Sequence, residues 1–177
     1  MYSIVLTGPE STGKSTLSKG IAEYYNGIFI PEYAREYMEN LDREYTYEDV
    51  EIIAKKQVEQ YNNAAKKYKD KNTVVVFDTF LIITKIWFVF VYKKYPKWLD
   101  DELKNCKIDL YVLCKADLDW IYDPVRENGS NEMRNYLYNL YKEEILKLNT
   151  PYIEISGKGE KRLNMILDYV NNVITTC

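Results

Sequence analysis

The chain has 177 residues, a formal charge of −3, a pI near 5.2, 18 tyrosines and no histidine. That length suits one domain spanning 1–177, and the lack of a basic half argues against nucleic acid as a partner. Without histidine a His-based triad or His metal site is excluded. Cys106, Cys114 and Cys177 are unclustered, so they suggest neither a disulfide framework nor a zinc site.

In chain order, Tyr2–Thr7 (YSIVLT) reads as a strand rather than a signal peptide. A glycine-bearing loop follows, then a helix over Ser15–Asn26 with Leu17, Ile21 and Tyr24/Tyr25 at helical spacing, stopped by Gly27. Ile28–Pro31 predicts a short second strand and Ala34–Asn40 a helix. Thr46, with Asp49 three residues on, predicts the cap of a long helix to about Asp70. Its end, Lys66–Lys71, reads as solvated rather than as a binding patch.

The β-branched run Thr73–Phe77 predicts a buried parallel strand. The apolar stretch Phe77–Tyr92, interrupted by Asp78 and Lys85, is too short to span a bilayer and predicts a buried helix. A shorter helix follows Pro96, and Ile108–Cys114 is the next strand. Asp117–Asn131 is polar and irregular. Glu132–Leu148 is helix, Tyr152–Ile155 a last strand and Lys161–Ile174 a closing helix. The alternation predicts an α/β fold: a five-stranded parallel sheet with helices on both faces and ligands at the carboxyl ends of the strands. A reducing, cytoplasmic setting without a membrane is the simplest expectation, and a homo-oligomer is compatible with the sequence.

Gly8-Pro9-Glu10-Ser11-Thr12-Gly13-Lys14-Ser15 matches the phosphate-loop pattern GxxxxGK[ST] in full, with a strand before and a helix after. Glycines let backbone N–H groups turn inward around a phosphate, and the helix N-terminus adds its positive end. The donor-side candidates are therefore Gly8, Glu10, Ser11, Thr12, Gly13, Lys14, Ser15 and Thr16. Lys14 would reach the β and γ phosphates of ATP and Ser15 would ligate Mg²⁺.

Asp78, ending an apolar strand, suits a Walker B carboxylate on the Mg²⁺ side or a proton acceptor; it also suits a helix N-cap. Glu32, Tyr33 and Arg35 follow the second strand and could orient an acceptor, or begin an ordinary surface helix. Asp117–Asn131 occupies the place of a lid. It carries Trp120, Asp123 and Arg126, with Arg134 as a second candidate arginine to meet the transferring phosphoryl group. Gly157 and Lys158, after the last strand, would let backbone approach a flat base, or form a plain β–α turn.

Taken together, GPESTGKSTL, EYAREY, IAKKQ, FDT with the later TKIW, DLYVLC, DWIYDPVRE and ISGKGEKR appear in one order along nearly the whole chain. In these stretches the sequence resembles the ribosylnicotinamide kinase domain of a bacterial NAD-biosynthesis regulator and stand-alone ATPases of that group. The resemblance implies a P-loop NTPase of the nucleoside-kinase type. It implies transfer of the ATP γ-phosphate to the 5′-hydroxyl of nicotinamide riboside. It supports Lys14, Asp78, Arg126 and Glu32 as catalytic and Ser15 and Asp78 as Mg²⁺ residues. Glu32, Tyr33, Arg35, Trp87, Trp120 and Asp123 become acceptor-side residues.

Tyr33, Tyr37, Trp87 and Trp120 are the rings available to a pyridinium cation. The family pattern carries a second acid where this chain has Phe80, which could itself stack on the ring. The regulator's adenylyltransferase and DNA-binding activities are not expected of this sequence. A kinase for another nucleoside or vitamin-like alcohol, and a P-loop regulatory module without kinase activity, are the competing expectations.

Overall fold

The computed structural model describes residues 1–69, 72–121 and 130–174. Five strands, β1 (Tyr2–Thr7), β2 (Ile28–Ile30), β3 (Val74–Asp78), β4 (Leu110–Cys114) and β5 (Tyr152–Ile155), form one sheet in the order β2-β3-β1-β4-β5. Every pairing is parallel. The helices are α1 (Lys14–Tyr24), α2 (Tyr33–Glu39), α3 (Tyr47–Tyr68), α4 (Leu81–Trp87), α5 (Trp98–Asn105), α6 (Asn131–Leu148) and α7 (Glu160–Ile174). A π-helical turn, Phe88–Tyr92, continues α4. The predicted α/β fold is present, and strand ends differ from the sequence reading by a residue or two.

Both faces of the sheet are covered, which is why β4 is apolar throughout and β3 is apolar up to its last residue, Asp78, rather than alternating. One core layer packs Val75 and Phe77 against α3, α4 and α6; the other packs Ile4, Leu6 and Val76 against α1 and α7. Each such side chain, fully buried, stabilises the fold by about 1.5–3 kcal/mol. Phe80, expected as a stacking surface for a ligand, belongs to the first core layer. It is 2% exposed, with its ring 5.6 Å from Phe77 and 5.9 Å from Tyr61. A phenyl ring there extends the apolar cluster, so the position has left the site. Among the described residues no helix is long and apolar enough to cross a membrane, and Cys106 and Cys114 are buried free thiols.

The start of α3 anchors the smaller helix α2. Thr46 and Asp49 form the predicted capping box. The same Asp49 carboxylate, buried, accepts from both guanidinium nitrogens of Arg43 at 2.6 and 2.8 Å and from the Tyr37 hydroxyl at 2.7 Å. One side chain thus ties the end of α2 and the connecting loop to α3. Arg43, then Tyr37, holds the Asp49 carboxyl well below the usual carboxylate range. A depressed folded-state value stabilises the protein above the unfolded value, about 3.9, and the contribution is lost as pH falls through the folded one. Asp49→Asn is therefore expected to lower the melting temperature at neutral pH. The gap from wild type should narrow as melts are repeated below about pH 4; a gap that stays constant with pH would contradict the assignment.

Candidate active site

The loop between β1 and α1 turns where the sheet can be approached most closely. Gly8 has φ 137°, and a Cβ there would sit 2.6 Å from the Cys114 carbonyl oxygen of β4, so only glycine fits. Gly13 caps α1 with φ 76°, and the first turn of α1 carries no acid, leaving its positive end open to an anion. Thr12, 1% exposed, donates to the Pro9 carbonyl at 2.9 Å and braces the loop from inside. Lys14 Nζ folds back on the loop, donating to the Gly8 and Pro9 carbonyls at 3.0 and 2.8 Å.

A cavity of about 290 Å³ opens from this loop. Every loop residue from Gly8 to Thr16 except Pro9 lines it. Its other walls come from β2–α2 (Glu32, Arg35, Met38), from α4 and the π-helical turn (Thr84, Trp87, Phe90), and from Leu137 and Tyr141 of α6. The phosphate-loop candidates and Glu32, Arg35 and Trp87 are thus brought together.

The junction of the two ends is acidic. Glu32 is the residue before α2, yet it makes no cap bond; its carboxylate instead accepts from the Thr79 hydroxyl at 3.3 Å. Thr79 sits at φ 71°, where a β-branched residue is strained, and the conformation is held by its N–H on the Leu6 carbonyl at 3.2 Å. Burial pushes the Glu32 carboxyl above its ordinary value; Lys14 pulls it down, Asp78 pushes it up, and Arg35 pulls it down.

Asp78 is 3% exposed, and burial raises it too, against the lowering bond from Ser15 and the Lys14 charge. Its Oδ1 is buried without a hydrogen-bond partner. Asp78 is not the cap of α4, whose cap residue is Phe80. A carboxylate with an unused oxygen beside the Ser15 hydroxyl is a hard-oxygen donor set that fits Mg²⁺.

Other expected residues lie elsewhere. Tyr33 stacks toward Tyr37, ring centroids 6.0 Å apart, and neither lines the cavity. Trp120 lines a separate shallow depression with Asn131 and Asn135. Of the four rings expected around a cation, only Trp87 is on the wall, joined there by Tyr45 at 5.0 Å and by Phe90. The Gly157 N–H is taken by Asp117 at 2.6 Å, and Asp117 in turn pairs with buried Arg162 at 2.7 Å; Lys158 is exposed. Asp123 and Arg126 lie outside the described residues. The described start of the expected lid rests on the phosphate loop, with the Ile121 N–H donating to Ser11 Oγ at 3.2 Å.

Arg134 holds that arrangement from behind. Fully buried, it donates to the carbonyls of Glu10 (3.2 Å), Ser11 (3.4 Å) and Leu118 (2.9 Å). Turning loop carbonyls outward onto one guanidinium leaves their N–H groups facing in. Arg134→Met is expected to lower the melting temperature and to weaken ATP binding about tenfold or more, since it strands buried carbonyls. Lys14→Ala should weaken ATP binding as well, with a smaller fall in melting temperature, since the Thr12 hydroxyl still serves the Pro9 carbonyl and the Gly8 carbonyl loses its Lys14 donor. Calorimetric titration of ATP beside thermal melts checks both, and unaltered ATP affinity in Arg134→Met would contradict the bracing role.

The chain is 26% identical over 156 residues to the trifunctional NAD biosynthesis/regulator protein NadR of Salmonella typhimurium, and 27% identical over 156 residues to that of Escherichia coli. Each alignment covers 86% of this chain and 37% of the relative, so the chain spans little more than a third of their length. Among solved structures, NadR in complex with NR superposes with a TM-score of 0.74 at 22% identity, covering 97% of this chain and 51% of that one. Thymidylate kinase from Ehrlichia chaffeensis superposes at 0.68 with 14% identity over 98% of both chains. Deoxyadenosine kinase from M. mycoides with bound dATP superposes at 0.62 with 15% identity, covering 97% and 100%. The fold is that of P-loop nucleoside and nucleotide kinases. Residues 3–162 match the AAA_28 family, described as an AAA domain, and the chain belongs to that family.

Proposed function

We propose that the protein transfers the γ-phosphoryl group of ATP to the 5′-hydroxyl of nicotinamide riboside, giving nicotinamide mononucleotide. The observation that carries this reading is the cavity shared by the phosphate loop and a set of aromatic side chains. The phosphate loop, Glu32 and Thr79, and the rings of Trp87, Tyr45 and Phe90 all line it, with Tyr45 and Trp87 5.0 Å apart. A donor phosphate at one end and a flat cationic ring at the other would place a ribose hydroxyl between them. A pyridinium over such rings gains roughly 0.5–2 kcal/mol. The similarity to NadR, solved with NR and with NAD and AMP-PNP, supports both halves of the reading.

In this mechanism the loop N–H groups and Lys14 hold the phosphates and offset their charge. Ser15 and Asp78 would hold Mg²⁺, which when bound supplies further neutralisation of the phosphate oxygens. The acceptor oxygen attacks the γ-phosphorus, the bond to the ADP oxygen breaks, and the hydroxyl proton passes to a carboxylate. Glu32 takes that proton, because it lines the cavity whereas Asp78 does not. Its raised value brings it closer to the working pH, which suits a general base. Arg126 would meet the transferring group from the lid 117–131. A compact kinase of this kind acts on a small molecule, not on nucleic acid or membrane.

ADP release measured with ATP and nicotinamide riboside, beside thymidine, deoxyadenosine and no acceptor, tests the proposal. Release should depend on nicotinamide riboside. Release that is independent of acceptor, or faster with an uncharged nucleoside, would contradict it. For the proton acceptor, the acid limb of kcat should fall at a pH above the ordinary glutamate value of 4.5, because a protonated Glu32 cannot accept. Glu32→Gln should lower kcat about 10²–10⁴-fold and abolish that limb. A variant keeping both rate and limb would move the role to another group.

A further inference from the structure

Tyr45 reaches the cavity from an exposed loop. Of residues 40–46, between α2 and α3, it is the one that lines the cavity, and its neighbours Arg43, Glu44 and Thr46 are exposed. Its ring meets Trp87 edge-on, centroids 5.0 Å apart and planes at 72°. Packing on the α2 side does not set that position, because no residue of α2 is buried.

The position is set from Asp49. The Thr46 N–H, in the peptide group after Tyr45, donates to Asp49 Oδ2 at 2.7 Å. The Glu44 carbonyl, in the peptide group before Tyr45, accepts from Arg43 Nη1 at 2.9 Å, and that same nitrogen donates to Asp49 Oδ2 at 2.6 Å. Peptide groups are planar, so the backbone of a residue has only φ and ψ to vary between its two flanking planes. Both planes around Tyr45 are tied to one carboxylate. The other carboxylate oxygen holds Arg43 Nη2 at 2.8 Å and the Tyr37 hydroxyl at 2.7 Å, which brings in the end of α2. Asp49 is 2% exposed, lies in the first turn of α3 and does not itself line the cavity.

We propose that Asp49 is a positioning residue for the acceptor: acting through Arg43 and Thr46, it holds the Tyr45 ring against Trp87 as a ready-made wall for the acceptor's flat ring. This rests on the reading of the cavity as an acceptor site. A ring on an unordered loop must be immobilised when the ligand arrives, which weakens binding; a ring fixed in advance avoids that loss. None of these groups belongs to the phosphate loop, so ATP affinity should not depend on them.

The test compares wild type with Asp49→Asn, Arg43→Met, Tyr45→Ala and the double variant Asp49→Asn/Tyr45→Ala. Arg43→Met leaves the Thr46–Asp49 capping box in place. Ile166→Val, in the other core layer, lowers stability away from the cavity and serves as the control. KM and kcat for nicotinamide riboside come from ADP release, and the dissociation constant of ATP from calorimetry. Acrylamide quenching reports the exposure of Trp87 without any acceptor, in a background where Trp98 and Trp120 are replaced by phenylalanine.

Tyr45→Ala should raise the KM for nicotinamide riboside about threefold to thirtyfold, the worth of one ring over a cation. Asp49→Asn and Arg43→Met should raise it in the same range, with ATP affinity and kcat near wild type. The double variant should do no worse than Tyr45→Ala, because both changes act through one ring. Trp87 should become more open to acrylamide in each. Effects that multiply in the double variant, or quenching in Asp49→Asn and Arg43→Met like that of wild type, overturn the proposal. So does a rise in KM for Ile166→Val as large as that for Asp49→Asn, since the loss would then follow stability alone. Opened Trp87 in the variants, with no turnover of nicotinamide riboside by wild type, keeps Asp49 as the residue that sets Tyr45 and overturns the kinase reading instead.

Discussion

The structure depends on one constraint: the backbone between β1 and α1 must turn its N–H groups inward. Peptide groups that point their donors one way point their carbonyls the other, and buried carbonyls need donors of their own. Those donors come from the Thr12 hydroxyl on Pro9, the Lys14 ammonium on Gly8 and Pro9, and the Arg134 guanidinium on Glu10 and Ser11. Gly8 meets the further demand that the loop lie against the backbone of β4. In the proposed role as a phosphate site the loop backbone is braced in advance, and Lys14 must leave the Gly8 and Pro9 carbonyls to meet the anion.

From that loop the rest of the site follows by topology. β1 lies in the middle of the sheet, between β3 and β4, so the loops after β3 and β4 flank the phosphate loop. The first brings Asp78 and strained Thr79, the second Leu118 and Ile121. Glu32 arrives from β2, one strand further out, and meets Thr79 across the β3 edge. Two carboxyl groups are thereby held in a confined, partly cationic place. Burial raises both while Lys14 and Arg35 restrain the rise.

How much of this was legible in sequence depended on how local each feature is. The phosphate loop and the Thr46–Asp49 capping box are contiguous, so residue type and spacing sufficed. The β/α alternation exposed the sheet, because strands covered on both faces must be apolar throughout. Side-chain direction was harder. Tyr33 and Trp120 stand in suggestive places in the chain, but which way they turn is set by packing across elements. Phe80 looked like a lost acid and is a core residue held by Phe77 and Tyr61. Arg134 was marked by its type as an arginine for the transferring phosphoryl group, but its place behind the loop, on the Glu10, Ser11 and Leu118 carbonyls, is set by the packing of α6, and nothing in the spacing of Tyr141 marks it.

In the proposed reaction donor and acceptor occupy one continuous cavity. The most direct measurement is the dissociation constant of a compound joining adenosine and nicotinamide riboside through a polyphosphate chain, compared with ATP and nicotinamide riboside separately. A continuous cavity predicts binding tighter than ATP alone by about 10²-fold or more, since the second contact becomes intramolecular. Affinity no greater than that of ATP would contradict it.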